Sequence, residues 1–208
     1  MAVIIGSDLD DLLDGGEGSD TIRALGGDDR ADGGGGADQI EGGDGRDRLD
    51  GGGDRDFLRG EAGDDVVLGG GGDDWHLNGN GGSDYVFGEA GDDVVHGGRG
   101  YDYLLGGPGA DTVAGDRGAD TLFADPGADT YLFADGSGVD LIVAFEPGLD
   151  RIGVPAGVNG TSIAVAADLV ARLGESPEGV VLDLGGGNVV HLGGTIRADI
   201  AASDFFLL

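Results

Sequence analysis

An aspartate recurs every nine residues through most of this 208-residue chain: Asp11, Asp20, Asp29, Asp38, Asp47, Asp56, Asp65, Asp74, then, after one inserted residue, Asp84, Asp93, Asp102, Asp111, Asp120 and Asp129. Each is the sixth residue of a unit of the form G-G-x-G-x-D-x-U-x, in which U is apolar. Gly42-Gly43-Asp44-Gly45-Arg46-Asp47-Arg48-Leu49-Asp50 and Gly106-Gly107-Pro108-Gly109-Ala110-Asp111-Thr112-Val113-Ala114 are two of the clearest copies. A fixed period held over fourteen units constrains the fold more than any local propensity. A random glycine-rich linker would not keep an acid and an apolar residue in phase for so long.

The first unit position is glycine except at Ala24 and Ala124, and the fourth is glycine except at Leu9 and Asp54. Glycines so placed make a tight turn. The remaining x-U-x is too short for a helix but suits a short strand whose central residue points one way and whose neighbours point the other. The U row reads Leu13, Ile22, Ala31, Ile40, Leu49, Leu58, Val67, His76, Val86, Val95, Leu104, Val113, Leu122 and Tyr131, with Asn78 as the inserted residue. With two units per coil, the expected fold is all-β: a right-handed parallel β-roll, two sheets closing on a thin aliphatic core. Residues 1–133 form the roll and 134–208 a degenerate last repeat followed by a small β-rich cap.

The chain carries 41 acidic residues against 11 basic ones, all arginine, for a formal charge of −30. Nucleic acid is excluded as a partner, because phosphate recognition needs a basic footprint. So acidic a chain, with 49 glycines, would ordinarily remain disordered. There is no cysteine to supply disulfides or thiolate ligands. The N-terminal stretch from Met1 to Asp8 lacks the basic and apolar regions of a secretory signal peptide, and no run is long enough for a membrane helix.

If two units make one coil, equivalent turns stack about 4.8 Å apart. Two carboxylates at that spacing repel by roughly 3 kcal/mol at an effective dielectric of about 20. Repeated along both edges, this exceeds the stability of an ordinary domain, so a cation must lie between layers. Midway it would sit about 2.4 Å from each, the calcium–oxygen distance, and calcium accepts backbone carbonyls. Magnesium demands shorter octahedral contacts, while zinc and copper prefer nitrogen or sulfur. Pairing each turn with the one two units on leaves up to about twelve sites, and that many calcium ions would bring the charge from −30 to about −6.

With these motifs the sequence resembles the RTX, or hemolysin-type calcium-binding, repeat proteins over residues 6 to about 143. The resemblance implies a calcium-loaded roll in which each sixth-position aspartate and the turn carbonyls ligate ions. It also implies a chain unfolded in the calcium-poor cytoplasm that folds after export, typically from a Gram-negative bacterium to the cell surface or medium. Asp135-Gly136-Ser137-Gly138-Val139-Asp140-Leu141-Ile142-Val143 reads as a fifteenth unit, adding Asp140 to the ligand set.

Beyond it, Phe145 to Ile152 reads as a strand, a Pro-Gly turn and another strand, Ala166 to Leu173 as a short helix, and Val180–Leu184 with Asn188–Leu192 as a hairpin. Together with the terminal Ser203-Asp204-Phe205-Phe206-Leu207-Leu208 this is similar to the C-terminal region of serralysin-type proteases and alginate epimerases. That implies a cap and an uncleaved signal for the type I secretion machinery.

Outward positions are polar in early units (Arg23, Arg30, Asp32, Gln39, Glu41, Arg48, Asp50) and apolar from Val66 onward (Leu68, Trp75, Leu77, Tyr85, Phe87, Val94, Tyr103, Leu105, Phe123). An apolar face of that extent implies a contact: the C-terminal segment folding over it, or a second copy or ligand. No catalytic constellation is present. There is no H-E-x-x-H or G-x-S-x-G, and His76, His96 and His191 are far apart in sequence. With repeats starting at Gly6, the expectation is a non-enzymatic structural, adhesive or enzyme-accessory protein, with noncatalytic polysaccharide binding as the alternative.

Overall fold

Successive nonapeptides each end in a strand, and the strands fall alternately into two sheets. The computed structural model describes every residue from Met1 to Leu208. The first sheet has ten strands, beginning Val3–Ile5, Thr21–Gly26, Gln39–Asp44 and Phe57–Ala62; the second has eleven and includes Leu12–Asp14, Arg30–Asp32, Arg48–Gly53 and Val66–Gly71. All pairing within the repeats is parallel, so the chain crosses from one sheet to the other at every turn. The structure is thus a parallel β-solenoid of about eight coils with almost no helix.

One coil of register brings like residues together. Ile22, Ile40, Leu58, Leu77, Val95, Val113, Tyr131 and Ile152 form one column. Leu13, Ala31, Leu49, Val67, Val86, Leu104, Leu122 and Ile142 form the other. Both columns are buried, and since the strands alternate in and out, their flanking residues face outward.

The inserted residue lies elsewhere than the sequence suggested. Leu77, not His76, occupies the inner column, and His76 faces outward opposite Phe57, with Asn78 opposite Arg59. The extra residue is therefore Trp75, which bulges out between Asp74 and the strand. The core prefers leucine to imidazole because burying an unpaired polar ring costs free energy, and shifting the insertion by a few residues satisfies that preference.

The C-terminal segment continues the sheets. Val139–Val143 joins the second sheet and Arg151–Val154 the first. The Pro147-Gly148 turn is accordingly another coil corner, and the chain leaves the strand before Phe145. The helix spans only Ala166–Val170, and Leu173 already begins a strand. The expected hairpin forms from Gly179–Gly185 and Asn188–Gly193, the latter adding in parallel to Val139–Val143. Phe205–Leu207 pairs with Arg151–Val154 and closes the first sheet.

Because these strands lengthen the second sheet, they do not fold over its outer face. Tyr85 stays 51% and Tyr103 37% exposed. Trp75 and Val94 belong to the other sheet, so the apolar strip of the second sheet consists of Val66, Leu68, Tyr85, Phe87, Tyr103, Leu105 and Phe123.

Candidate metal centre

Each turn delivers its sixth-position aspartate inward, and the coil spacing sorts these residues into two columns. Along one edge run Asp11, Asp29, Asp47, Asp65, Asp84, Asp102, Asp120 and Asp140; along the other Asp20, Asp38, Asp56, Asp74, Asp93, Asp111 and Asp129. Successive members are joined by a hydrogen bond from the backbone N–H of one to the Oδ1 of the next: 2.7 Å for Asp11 to Asp29, 2.8 Å for Asp47 to Asp65, 2.7 Å for Asp56 to Asp74 and 3.1 Å for Asp120 to Asp140. The inserted Trp75 leaves this ladder intact, since Asp65 and Asp74 simply donate to residues 19 positions on, Asp84 and Asp93.

Oδ1 is thus satisfied, but Oδ2 is not. Asp29, Asp38, Asp47, Asp56, Asp65, Asp74, Asp84, Asp93, Asp102, Asp111, Asp120 and Asp140 each bury an Oδ2 with no hydrogen-bond partner. An orphaned buried carboxylate oxygen is costly. Burial pushes these carboxyls up, with nearby like charges adding to it at most positions and the backbone N–H bond opposing. Asp65 rises to about 8, Asp56, Asp102, Asp111, Asp120 and Asp140 to about 7, and Asp47, Asp74, Asp84, Asp93 and Asp129 to about 6. Such a column is only partly ionised at neutral pH, and cations beside it would favour the charged form.

The turn glycines show where a cation fits. A Cβ on Gly33 would lie 2.5 Å from Asp38 Oδ2 and 2.6 Å from the carbonyl oxygen of Gly51 one coil on. The same convergence of an orphaned carboxylate oxygen and a backbone carbonyl recurs at Gly51 and Gly69. First-position glycine therefore keeps a small oxygen-lined volume clear of side chain. Nowhere do three or more His, Cys, Asp or Glu side chains converge, so most ligands must be backbone carbonyls. That donor set suits calcium, and it does not suit zinc.

The sequence missed one rung. Asp150, buried, accepts the N–H of Asp129 at 3.2 Å through Oδ1 and that of Glu146 at 2.8 Å through Oδ2. The signal was present, for Gly148-Leu149-Asp150-Arg151-Ile152 repeats the G-x-D-x-U half of the unit. An exposed second row also exists at the fifth position: Asp10 accepts from Asp28 N–H at 2.9 Å and Asp28 from Arg46 N–H at 2.9 Å. The fold brings His76 and His96 together on the outer face, ring centroids 5.8 Å apart, with Asp116 Oδ2 2.9 Å from His96 Nδ1.

Stacked turns pairing carboxylates with carbonyl oxygens define a calcium-binding β-roll. The RTX calcium-binding nonapeptide repeat matches the chain in four copies, at residues 5–40, 41–75, 76–104 and 105–142. The chain belongs to that family, whose repeats are a structural calcium-binding module. Among solved structures it is similar to the extracellular lipase LipA of Serratia marcescens (TM-score 0.44, 20% identity, covering 99% of this chain and 40% of that one). It is also similar to the AlgE6R3 subunit of the Azotobacter vinelandii mannuronan C5-epimerase (TM-score 0.36, 26% identity, 74% of this chain and 78% of that one). The chain thus spans about two-fifths of the lipase's length. No curated protein matches it in sequence.

Proposed function

We propose that this protein is a secreted β-roll that stays unfolded in calcium-poor cytoplasm and folds outside the cell by binding several calcium ions. The side-chain ligands are Asp11, Asp20, Asp29, Asp38, Asp47, Asp56, Asp65, Asp74, Asp84, Asp93, Asp102, Asp111, Asp120, Asp129 and Asp140, while Asp150, with both oxygens hydrogen-bonded, ends the ladder. The observation that carries this reading is the column of buried, partnerless Oδ2 atoms. Calcium supplies the counter-charge those oxygens need, and turn carbonyls complete its shell. Since the ligands assemble only when coils stack, binding free energy is folding free energy.

The role that follows is structural, adhesive or accessory to a separate enzyme, not catalytic. The His96–Asp116 pair has no Ser or Cys nucleophile in a recognisable motif, and the carboxylates are accounted for by the ladder. The uncovered apolar strip on the second sheet favours contact with another surface or a second copy. The C-terminal Asp204-Phe205-Phe206-Leu207-Leu208 is the proposed signal for type I export, available while the chain is metal-free and unfolded.

The direct test is far-UV circular dichroism and calorimetric titration with calcium after chelation. A spectrum and thermal midpoint indifferent to calcium would refute the reading. Removal of the last five residues should abolish appearance in the medium without affecting calcium-induced refolding, and ultracentrifugation of the calcium form shows whether the apolar strip pairs two copies.

A further inference from the structure

The nonapeptide period is broken at Trp75, the chain's single tryptophan. Asp74 keeps its place on the carboxylate ladder and His76 keeps strand register with Phe57, so the indole bulges out between them. Bulges interrupt sheet pairing and are features that re-aim a side chain. The core does not need this one, because Leu58, Leu77 and Val95 stack without it. Trp75 is instead 49% exposed.

It forms one wall of a groove of about 430 Å³ that crosses five coils, from Met1 to Trp75, at the turn edge of the first sheet. Phe57 buttresses the indole with ring centroids 4.9 Å apart, and the Arg55 guanidinium lies 5.9 Å from its centre. The floor is polar. Ser19 Oγ accepts the Ala37 N–H at 3.1 Å and keeps its own proton to donate. Gln39 gives its amide N–H to Glu41 at 3.0 Å and keeps its oxygen to accept. Thr21 lies beside Gln39 in strand register. The two carboxylates of the lining, Asp20 and Asp38, turn into the ladder, where Asp38 takes the Asp20 N–H at 2.6 Å. Arg55 has no ion-pair partner, so it is the cation left to meet a ligand on this rim.

We propose that the groove binds a pyranose ring of a glycan chain. The apolar C–H face of such a ring packs on the electron-rich indole face, its hydroxyls meet Ser19, Thr21 and Gln39, and Arg55 donates to vicinal hydroxyls or to a uronate carboxylate. The volume is that of a small-ligand site. Four strand spacings make the groove about 19 Å long, and its ten lining residues fall short of the roughly 20–30 a side that a stable protein interface uses. Neutral and acidic glycans share the ring chemistry and differ in what they ask of Arg55. The inference goes beyond calcium-driven folding but rests on it, since the groove exists only when coils stack.

Calcium-loaded protein, its fold first verified by circular dichroism, is titrated with cellohexaose and chitohexaose as the neutral arm and hexaguluronate as the acidic arm, reading the emission of Trp75. A saturable blue shift with at least one arm is expected. By calorimetry, Trp75→Ala and Gln39→Ala should each weaken that binding by about tenfold, the scale of one lost aromatic or polar contact. Arg55→Ala should weaken the acidic ligand more than a neutral one. Deleting Trp75 restores the nine-residue period and should remove binding while leaving calcium-induced folding unchanged. Two results overturn the proposal: no saturable response to any of the three sugars in folded protein, or loss of calcium-induced folding on deleting Trp75, which would make the residue a folding element. Absence of any calcium-induced folding in the unaltered protein would overturn the calcium reading itself, and the groove with it.

Discussion

Replacing Gly51 by alanine should weaken this protein, although the same change two residues later should not. Neither Gly51 nor Gly53 has a positive φ, so backbone entropy alone predicts that alanine stabilises both by about 0.4–1 kcal/mol. The surroundings separate them. A Cβ on Gly51 lies 2.5 Å from the Gly69 carbonyl oxygen and closer still to Asp56 Oδ2, whereas on Gly53 the nearest atom is 3.9 Å away. The first methyl group enters the oxygen-lined volume where a cation would be held, and the second meets open space. Losing one ion at free calcium about 100-fold above its Kd removes about 2.7 kcal/mol. At about 2–4 °C per kcal/mol for a chain of this size, Gly51→Ala should lower Tm by about 5–10 °C in calcium and reduce the calorimetric ion count, while Gly53→Ala leaves Tm unchanged or raises it by a few degrees. Scanning calorimetry of both variants, with calcium and with chelator, is the assay. Equal Tm values for the two in calcium would refute the assignment of first-position glycine to the ion cradle.

Asp65→Asn keeps an oxygen for the Asp47 N–H, now at 2.8 Å from Oδ1, but puts an amide where the orphaned Oδ2 stands. It should destabilise the calcium form, stabilise the metal-free form at neutral pH and lower the ion count; a shift of the same sign in both forms would contradict the ladder's role. For the metal-free chain, carboxyls at about 6 to 8 in the fold against an ordinary value of 3.8 mean that the folded state holds more protons. That stabilisation is complete below the unfolded value and is lost as pH rises through about 6 to 8. Uptake of only about four protons gives roughly 5 kcal/mol per pH unit. In chelator the chain should be compact at pH 5.0 and unfolded at pH 8.0 by circular dichroism and scattering, and the reverse order would sink the argument. Leu77→Ala should cost about 2–5 kcal/mol as a buried leucine and His76→Ala less than about 1 kcal/mol; chemical denaturation giving the opposite order would restore histidine to the core.

The repeat made most of the fold legible. A turn of glycines, one acid and one apolar residue per nine can stack only as a two-sheet solenoid, and the aspartates from Asp11 to Asp140 stand out as candidate ligands because chemistry and period coincide in them. The insertion was harder to place. Trp75, His76 and Asn78 lie within four residues, and any of them could be the extra residue until the inner column, which takes Leu77, is seen. Asp150 escaped because its unit keeps the acid and the apolar residue but lacks the opening glycine pair, so its membership is settled by the hydrogen bond from Asp129. The apolar strip was legible as composition, but whether the C-terminal segment covered it depended on where that segment's strands pair.

The sequence by itself determined the period, the charge that opposes folding and the kind of oxygen donor that could relieve it, because all three are local properties repeated in phase. Only the tertiary structure decided which carboxylate oxygen is satisfied and which is stranded, that the ladder passes uninterrupted through the insertion at Trp75, and that the cap extends the sheets and leaves their apolar face open. Those outcomes depend on contacts between residues a full coil or more apart, and a contact at that range is set by stacking.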